Sequence, residues 1–180
     1  MGIPREPKPV KLFVGLLSGH AEIFSLAEKE LAALFGPVDS ASASLPWAVT
    51  DYYKEEMGAG LLRKFVSFAP LVSPEELAQT KLKTQGLEAG YHWIDGEKRG
   101  RRINIDPGYL DVGKIVLAST KCASHRIYLR SGIYGEVTLL FQDGSFQPLA
   151  YTYADYLWPE ALSFFMGLRA LYLTQLKQAL

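Results

Sequence analysis

The residues best suited to chemistry lie in one stretch, NIDPGYLDVGKIVLASTKCASHRIYL, at positions 104–129. Inside otherwise apolar runs, this stretch carries carboxylates, amines, an imidazole and a guanidinium: Asp106, Asp111, Lys114, Lys121, His125 and Arg126. Imidazole and carboxylate groups transfer protons, and lysine and arginine bind anions through charge-assisted hydrogen bonds. We therefore predict a polar site around residues 106–126 in which Asp106 and His125 are the catalytic groups.

The remaining predicted site residues bind the substrate. Lys121 and Arg126 supply positive charge for an anionic, for example phosphorylated, group, and Tyr109 and Glu136 supply further hydrogen-bonding groups. The chain contains no G-x-x-x-x-G-K-[ST], H-E-x-x-H, paired C-x-x-C or G-x-S-x-G motif. The cofactor and the reaction therefore stay unassigned.

Hairpin register predicts which side chains lie beside His125. Ser-Gly at 131–132 and Asp-Gly at 143–144 are two-residue turn signals between strand-like runs. Because side chains alternate across a strand, these turns place His125 near Glu136 and Arg126 on the other face. One face of the meander then carries His125, Glu136, Thr138, Tyr134, Tyr151 and Tyr153. An ordinary half-exposed sheet gives the same pattern, so both interpretations stay open.

Asp106 precedes Pro107-Gly108, a pair that favours a tight turn. In such a turn, Asp106 and Asp111 flank a compact loop and converge on a cation or a substrate proton. Alternatively, Asp106 bonds the backbone ahead of it, as turn aspartates do. Two carboxylates are fewer than oxygen-type metal sites need, so we predict no metal site.

The elements that must position these residues follow a recognisable order. Apolar patterning, a capping box at Ser73-Pro74-x-Glu76 and the Gly36-Pro37 stop predict strand, helix, strand, strand, helix, strand. The strands fall at 11–18, 39–47, 63–71 and 101–105, and the helices at 21–35 and from Ser73. This order is typical of a ferredoxin-like βαββαβ sandwich, here with an appended antiparallel β-meander and a C-terminal helix from about Pro159. We predict one α+β domain over 1–180, with 1–9 mobile.

Composition limits the classes of function. The 180-residue chain has 19 Lys plus Arg and 19 Asp plus Glu, so its formal net charge is zero. A neutral chain has no global field for polyanions, which disfavours nucleic acid as a partner without excluding it. The basic cluster EKRGRR at 97–102 is a solvated turn or a local phosphate contact.

The compartment follows from cysteine usage and hydropathy. Cys122 is the only cysteine and cannot form an internal disulfide, which suits a reducing cytosol. The start, MGIPREPKPVKLF, carries prolines and charges where a signal peptide needs an apolar run, and no stretch is apolar enough to span a membrane. We predict a cytoplasmic protein with no membrane partner, and we favour a monomer.

Several longer blocks resemble a bacterial family, the domain-of-unknown-function family 4416 (DUF4416). They are LFGPVD (34–39), NIDPGYLDVGKIVLASTK (104–121), SHRIYL (124–129), GIYGEVTLLF (132–141) and TYADY (152–156). The resemblance covers nearly the whole chain and implies a small bacterial cytosolic protein without an established activity. Relatives are sometimes labelled GTP-binding. STKCA at 119–123 is similar to the guanine-reading T-K-x-D, but Ala123 replaces the aspartate and the phosphate loop is missing.

Three classes of function remain, and we favour the first. It is a protein that binds or acts on an anionic small ligand at 106–126, which predicts a concave pocket with shifted pKa values. The second is a nucleotide- or RNA-binding module that stacks bases on Tyr128, Tyr151 and Tyr153. The third is a protein-interaction module with the same tyrosines as anchors.

Overall fold

The computed structural model describes residues 2–96 and 98–178, so Met1 of the predicted mobile segment and Glu97 of the basic cluster lie outside the described residues. The strands are β1 (Val10–Ser18), β2 (Val38–Ala41), β3 (Leu45–Pro46), β4 (Leu62–Val72), β5 (His92–Asp95), β6 (Lys98–Arg101), β7 (Asn104–Leu110), β8 (Lys114–Ser119), β9 (Ile127–Arg130), β10 (Ile133–Gln142) and β11 (Ser145–Pro148). The helices are α1 (Ala21–Phe35), α2 (Lys54–Met57), α3 (Leu77–Gly90) and α4 (Pro159–Gln178). The predicted α+β class is confirmed.

One large antiparallel sheet organises the molecule. Its strand order is β11-β10-β8-β7-β1-β4-β2, with β3 beside β4 and β9 beside β10, and β5 and β6 form a separate hairpin. β1 lies in the middle and is buried at all nine positions. The continuous apolar run of this strand agrees with its position, because a central strand covered on both faces has no polar side.

Helices cover both faces of the sheet. α1 packs its buried residues, such as Ile23 and Leu31, against one face of β1. The β1 residues on this face are Leu12, Val14 and Leu16. α4 packs Phe165 and its apolar neighbours against the opposite face, around Phe13. The sequence predicted both helices, and the capping box at Ser73 that precedes α3 is also confirmed. Leu34, near the end of α1, is exposed.

The predicted turn at Pro107-Gly108 is wrong, because both residues lie inside β7. The chain turns later, where Asp111 accepts hydrogen bonds from the backbone N–H groups of Gly113 (2.7 Å) and Lys114 (2.9 Å). A β-carbon on Gly108 would lie 2.6 Å from the Val116 carbonyl oxygen, so glycine is needed here for close strand packing. Asp106 and Asp111 therefore do not flank one loop.

The predicted strand at 101–105 spans a break. β6 ends at Arg101 and pairs with β5, whereas β7 begins at Asn104 and pairs with β1. The chain changes sheets between these residues, which a continuous run of strand-forming residues does not reveal.

The two predicted hairpin turns are confirmed, but the register of the first is not. Arg130 pairs with Ile133 across the turn, and then Tyr134 pairs with Tyr128 because a β-bulge skips one residue. An extra residue reverses the side-chain alternation beyond it. Arg126 therefore lies on the same side as Glu136, contrary to the prediction.

Candidate functional site

The main cleft opens where the sheet splits between β7 and β8. These strands pair only from Gly108 to Leu110, because Pro107 has no N–H to continue the ladder. On the N-terminal side, two side chains of α3 replace the missing strand. Glu88 accepts the Ile105 N–H (2.7 Å), and Lys81 donates to the Ile105 carbonyl (3.0 Å).

The cleft between the diverging strands has a volume of about 330 Å³. This lies within the range of small-molecule sites. Charged and aromatic side chains dominate its lining: Trp47, Tyr52, Tyr53, Arg63, Lys81, Glu88, Arg101, Asp106, Lys121, Glu136, Tyr153, Asp155 and Tyr156. The amide of Asn104 also lines it. Buried charges are costly unless they are paired, so such a density of charge indicates a site rather than a core.

The floor of the cleft comprises Arg63, Lys81, Asp106, Asp155 and Tyr156. Arg63 donates through Nε to Asp155 (2.7 Å), and Lys81 donates to Asp106 (3.2 Å). Arg63 Nη1 lies 3.8 Å from Asp106. Among the described residues, neither Arg63 Nη1 nor the Tyr156 hydroxyl has a hydrogen-bond partner, although both atoms are buried. The floor thus holds two unused donors.

The two carboxylates that face Lys81 are shifted in opposite directions. Burial disfavours the charge of Asp106, but the positive charges of Lys81 and Arg63 outweigh it and lower the pKa of this carboxyl. Burial raises the pKa of Glu88, which Lys81 offsets only in part. Asp106 is therefore held as an anion, and Glu88 is the better proton donor of the two. Burial also raises the pKa of Tyr156 well above its ordinary value, so its hydroxyl stays protonated.

The rim of the cleft comprises Tyr52, Tyr53, Arg101 and Lys121. Lys121 Nζ lies 4.6 Å from the centre of the Tyr52 ring and donates to the Tyr52 hydroxyl at 3.2 Å. Arg101 lies over Tyr53 and pairs with Glu88 at 3.1 Å. Arg101 of the basic cluster 97–102 therefore lines the cleft and does not lie in a solvated turn.

Glu136 forms one wall of the cleft and binds two other predicted site residues, His125 and Arg126. Glu136 contacts His125 Nε2 at 2.9 Å and accepts from Arg126 Nε at 2.7 Å. His125 stacks on Tyr151, and Arg126 also donates to Tyr153 at 2.7 Å. The expected neighbourhood of His125 and Glu136 is confirmed. His125 and Arg126 contact the cleft through Glu136 and are not part of its lining.

The structure brings together three of the predicted site residues and separates one. Asp106, Lys121 and Glu136 line the same cleft. Tyr109 lies elsewhere, because it follows Gly108 in β7 and points to the opposite face, where it packs against Leu77 and Ala78. Three of the predicted side chains therefore share one cleft, and Tyr109 does not belong to it.

Sequence reasoning missed four of the five floor residues and part of the remaining lining. The missed floor residues are Arg63, Lys81, Asp155 and Tyr156, and the missed lining residues include Glu88 and Asn104. The sequence contained one signal of these residues, the spacing of Lys81 and Glu88. They are seven positions apart and therefore lie on the same face of α3, which also carries the small residue Ala78. Arg63 at the start of an apolar strand was a second signal.

The fold and the cleft define an α+β protein whose antiparallel sheet opens around a charged and aromatic cavity. The chain belongs to the family Domain of unknown function (DUF4416), whose family model matches residues 8–172. The resemblance seen in the sequence is thereby confirmed. No curated protein and no solved structure matches the chain.

Two properties of the described residues bear on the class of site. Within residues 2–96 and 98–178, no three His, Cys, Asp or Glu side chains are grouped so that they could hold a metal ion. In the same part of the chain, no helix combines the length and the apolarity that a membrane span needs.

Proposed function

We propose that this protein binds a small anionic ligand in the cleft between β7 and β8. The observation that carries the proposal is the pair of buried, unpaired donors on the floor, Arg63 Nη1 and the Tyr156 hydroxyl. A buried polar group without a partner costs about 1–3 kcal/mol, so native proteins seldom keep one without a use. A ligand oxygen that accepts from these donors would recover that free energy.

The rim supports the anionic character of the ligand. Lys121 is exposed, and its contacts within the described residues are the ring and hydroxyl of Tyr52 rather than a carboxylate. Its charge is therefore available to an incoming anion, whereas the charges of Arg63, Lys81 and Arg101 are each matched by a carboxylate. This retains the predicted role of Lys121 and leaves Asp106 and Glu136 as partners of neighbouring cations.

A thermal-shift screen tests the proposal directly. Sugar phosphates, nucleoside phosphates and small carboxylates are each added to the full chain, and a compound that binds the native state raises the melting temperature. Lys121→Gln should weaken binding of a hit by about tenfold, the worth of one charge-assisted hydrogen bond. Lys114→Gln is the matched control, because Lys114 is bound to Asp111 in the β7–β8 turn. The proposal is wrong if no compound binds, or if both variants bind alike.

A second candidate function is protein interaction through β9. All four residues of this strand are exposed, including Ile127 at 74% and Tyr128 at 58%, and β9 pairs with β10 on one edge. Exposed apolar residues on a sheet edge are a typical docking surface. Light scattering over a range of protein concentrations tests self-association, and Ile127→Lys should abolish any that occurs.

We also propose that β1, α1, β2, β4, α3 and β7 form the ferredoxin-like unit expected from the sequence. The order β7-β1-β4-β2 supports this assignment, and comparison of an experimental structure with ferredoxin-like folds tests it. Bacterial origin and a cytoplasmic location likewise remain proposals, and fractionation of cells that express the chain tests the location.

A further inference from the structure

The two unpaired donors of the floor lie beside the same glycine. A β-carbon on Gly15 of β1 would lie 3.2 Å from Arg63 Nη1 and 3.2 Å from the Tyr156 hydroxyl. Both donors therefore lie close to one point, and their side chains are almost completely buried, with 5% and 2% of each residue exposed. This arrangement allows one acceptor atom to receive both hydrogen bonds.

The charge of the floor determines which acceptor fits. Arg63 is paired with Asp155 at 2.7 Å, and Lys81 is paired with Asp106 at 3.2 Å. Two cations and two carboxylates balance, so a further buried anion would lack compensation and would also face Asp106. An uncharged carbonyl oxygen satisfies the two donors without adding charge.

The aromatic lining between the floor and the rim favours a ligand with a planar ring. Trp47, Tyr53 and Tyr153 line the cleft, and aromatic side chains pack well against planar rings. Trp47 is fixed by a hydrogen bond from Nε1 to Asp155 (3.0 Å), so its ring is held in place before any ligand binds. The unmatched charge of Lys121 lies at the rim, where a phosphate remains partly in water.

We infer that the ligand is a mononucleotide-like compound with a carbonyl on its planar ring, and that it binds with this carbonyl on the floor and its phosphate at the rim. This inference rests on the proposed function and specifies the ligand of the same cleft. In this orientation Arg63 Nη1 and the Tyr156 hydroxyl donate to the ring carbonyl, and Lys121 binds the phosphate.

A matched pair of nucleotides tests the inference by calorimetry. Inosine 5′-monophosphate carries a ring carbonyl where adenosine 5′-monophosphate carries an amino group. An amino group cannot accept from the two floor donors, so we expect the inosine compound to bind at least about tenfold more tightly. Tyr156→Phe removes one of the two floor donors and should narrow the difference between the two affinities, because Arg63 Nη1 still donates to the carbonyl. Lys121→Gln should weaken both nucleotides equally.

Two controls separate binding from folding. Tyr172→Phe removes another buried tyrosine hydroxyl, which donates to the Pro9 carbonyl outside the cleft, and should leave both affinities unchanged. Gly15→Ala provides a second test, because its methyl group takes the space beside both donors and should abolish the preference. Circular dichroism and the melting temperature of each variant show that it is folded.

Equal affinities for the two nucleotides, an undiminished preference in Tyr156→Phe, or no binding of either nucleotide would overturn the inference. The proposed function survives these results if another anionic compound binds the wild-type chain and is weakened by Lys121→Gln but not by Lys114→Gln. If no anionic compound binds, both fail.

Discussion

Lys11 and Arg63 are two buried cations on the same face of the sheet. Every N–H donor of Lys11 has an acceptor, whereas one nitrogen of Arg63 has none. Lys11 is fully buried, and its ammonium donates to Asp39, to the Phe68 carbonyl (2.7 Å) and to Gln175 (2.9 Å). An ammonium has three N–H donors, so all of them are used. Arg63 is nearly as buried, but its Nη1 has no hydrogen-bond partner among the described residues.

The difference separates a charge that maintains the fold from a charge that is available to a ligand. Burial lowers the pKa of Lys11, and its contacts with Asp39 oppose that shift without cancelling it. The protein itself supplies all the acceptors for Lys11, one each from β2, β4 and α4, so we call this site closed. The floor of the cleft is incomplete by one acceptor, and it lies where β7 and β8 diverge.

The largest expected effect is on the closed site. Lys11→Met leaves Asp39, the Phe68 carbonyl and Gln175 without their donor, and we expect the free energy of unfolding to fall by about 3 kcal/mol. Urea denaturation measures it. Lys64→Met is the control, because Lys64 and Glu28 form a partly exposed pair whose loss should cost less than about 1 kcal/mol. Equal losses in the two variants would remove the distinction between closed and open sites.

The wall of the cleft should give an intermediate effect. Arg126→Met leaves the buried Glu136 with His125 as its remaining partner, so we expect a loss of about 2 kcal/mol. His125→Gln should cost less than about 1 kcal/mol, because Arg126 still neutralises Glu136 and the glutamine can donate a hydrogen bond. Chemical denaturation of both variants at pH 8 measures the difference. A greater loss for His125→Gln would assign the main support of Glu136 to the histidine.

Two buried tyrosines, Tyr172 and Tyr156, extend the comparison of satisfied and unsatisfied donors, with smaller expected changes in the free energy of unfolding. Tyr172→Phe removes a hydroxyl that donates to the Pro9 carbonyl at 2.8 Å, and it should destabilise the protein by about 1 kcal/mol. Tyr156→Phe removes a hydroxyl without a partner, and it should leave the stability unchanged or slightly raised. Thermal unfolding of both variants decides the point. A loss in Tyr156→Phe as large as that in Tyr172→Phe would mean that the hydroxyl is already satisfied.

The smallest expected effect is a difference between the pKa values of two carboxyl groups, Glu88 and Asp106. The pKa of Glu88 is raised from 4.5 by burial, and that of Asp106 is lowered from 3.8 because Lys81 and Arg63 overcome its burial. The stabilising contribution of Asp106 is complete above pH 3.8 and is lost as the pH falls through its lower folded pKa. The ionised form of Glu88 is disfavoured by folding, so its cost is relieved as the pH falls through its raised pKa.

Carboxyl-carbon chemical shifts from an NMR titration measure both groups. We expect the Glu88 midpoint above 4.5 and the Asp106 midpoint below 3.8. Asp106→Asn and Glu88→Gln assign the signals. The reverse order would mean that Lys81 pairs mainly with Glu88, and the electrostatic description of the floor would then be wrong.

The sequence was sufficient where neighbouring residues decide the structure. Helical spacing and the Gly36-Pro37 stop predicted α1, the capping box predicted the start of the helix at Ser73, and the two-residue turns predicted both hairpins. The stretch 104–129 was also singled out as polar, and the predicted site residues Asp106 and Lys121 within it line the cleft.

Tertiary structure decided the rest, because the interactions that matter there join residues far apart in the chain. Pro107-Gly108 favours a turn by itself, but pairing with β1 keeps it extended, and the missing N–H of Pro107 then splits the sheet. A bulge in β9 brings Arg126 to the side of Glu136, and the turn signal at Ser131-Gly132 does not reveal it. The floor unites residues of β4, α3, β7 and the segment before α4, and only the packing of these elements around β1 shows that Arg63 and Tyr156 each keep an unused donor.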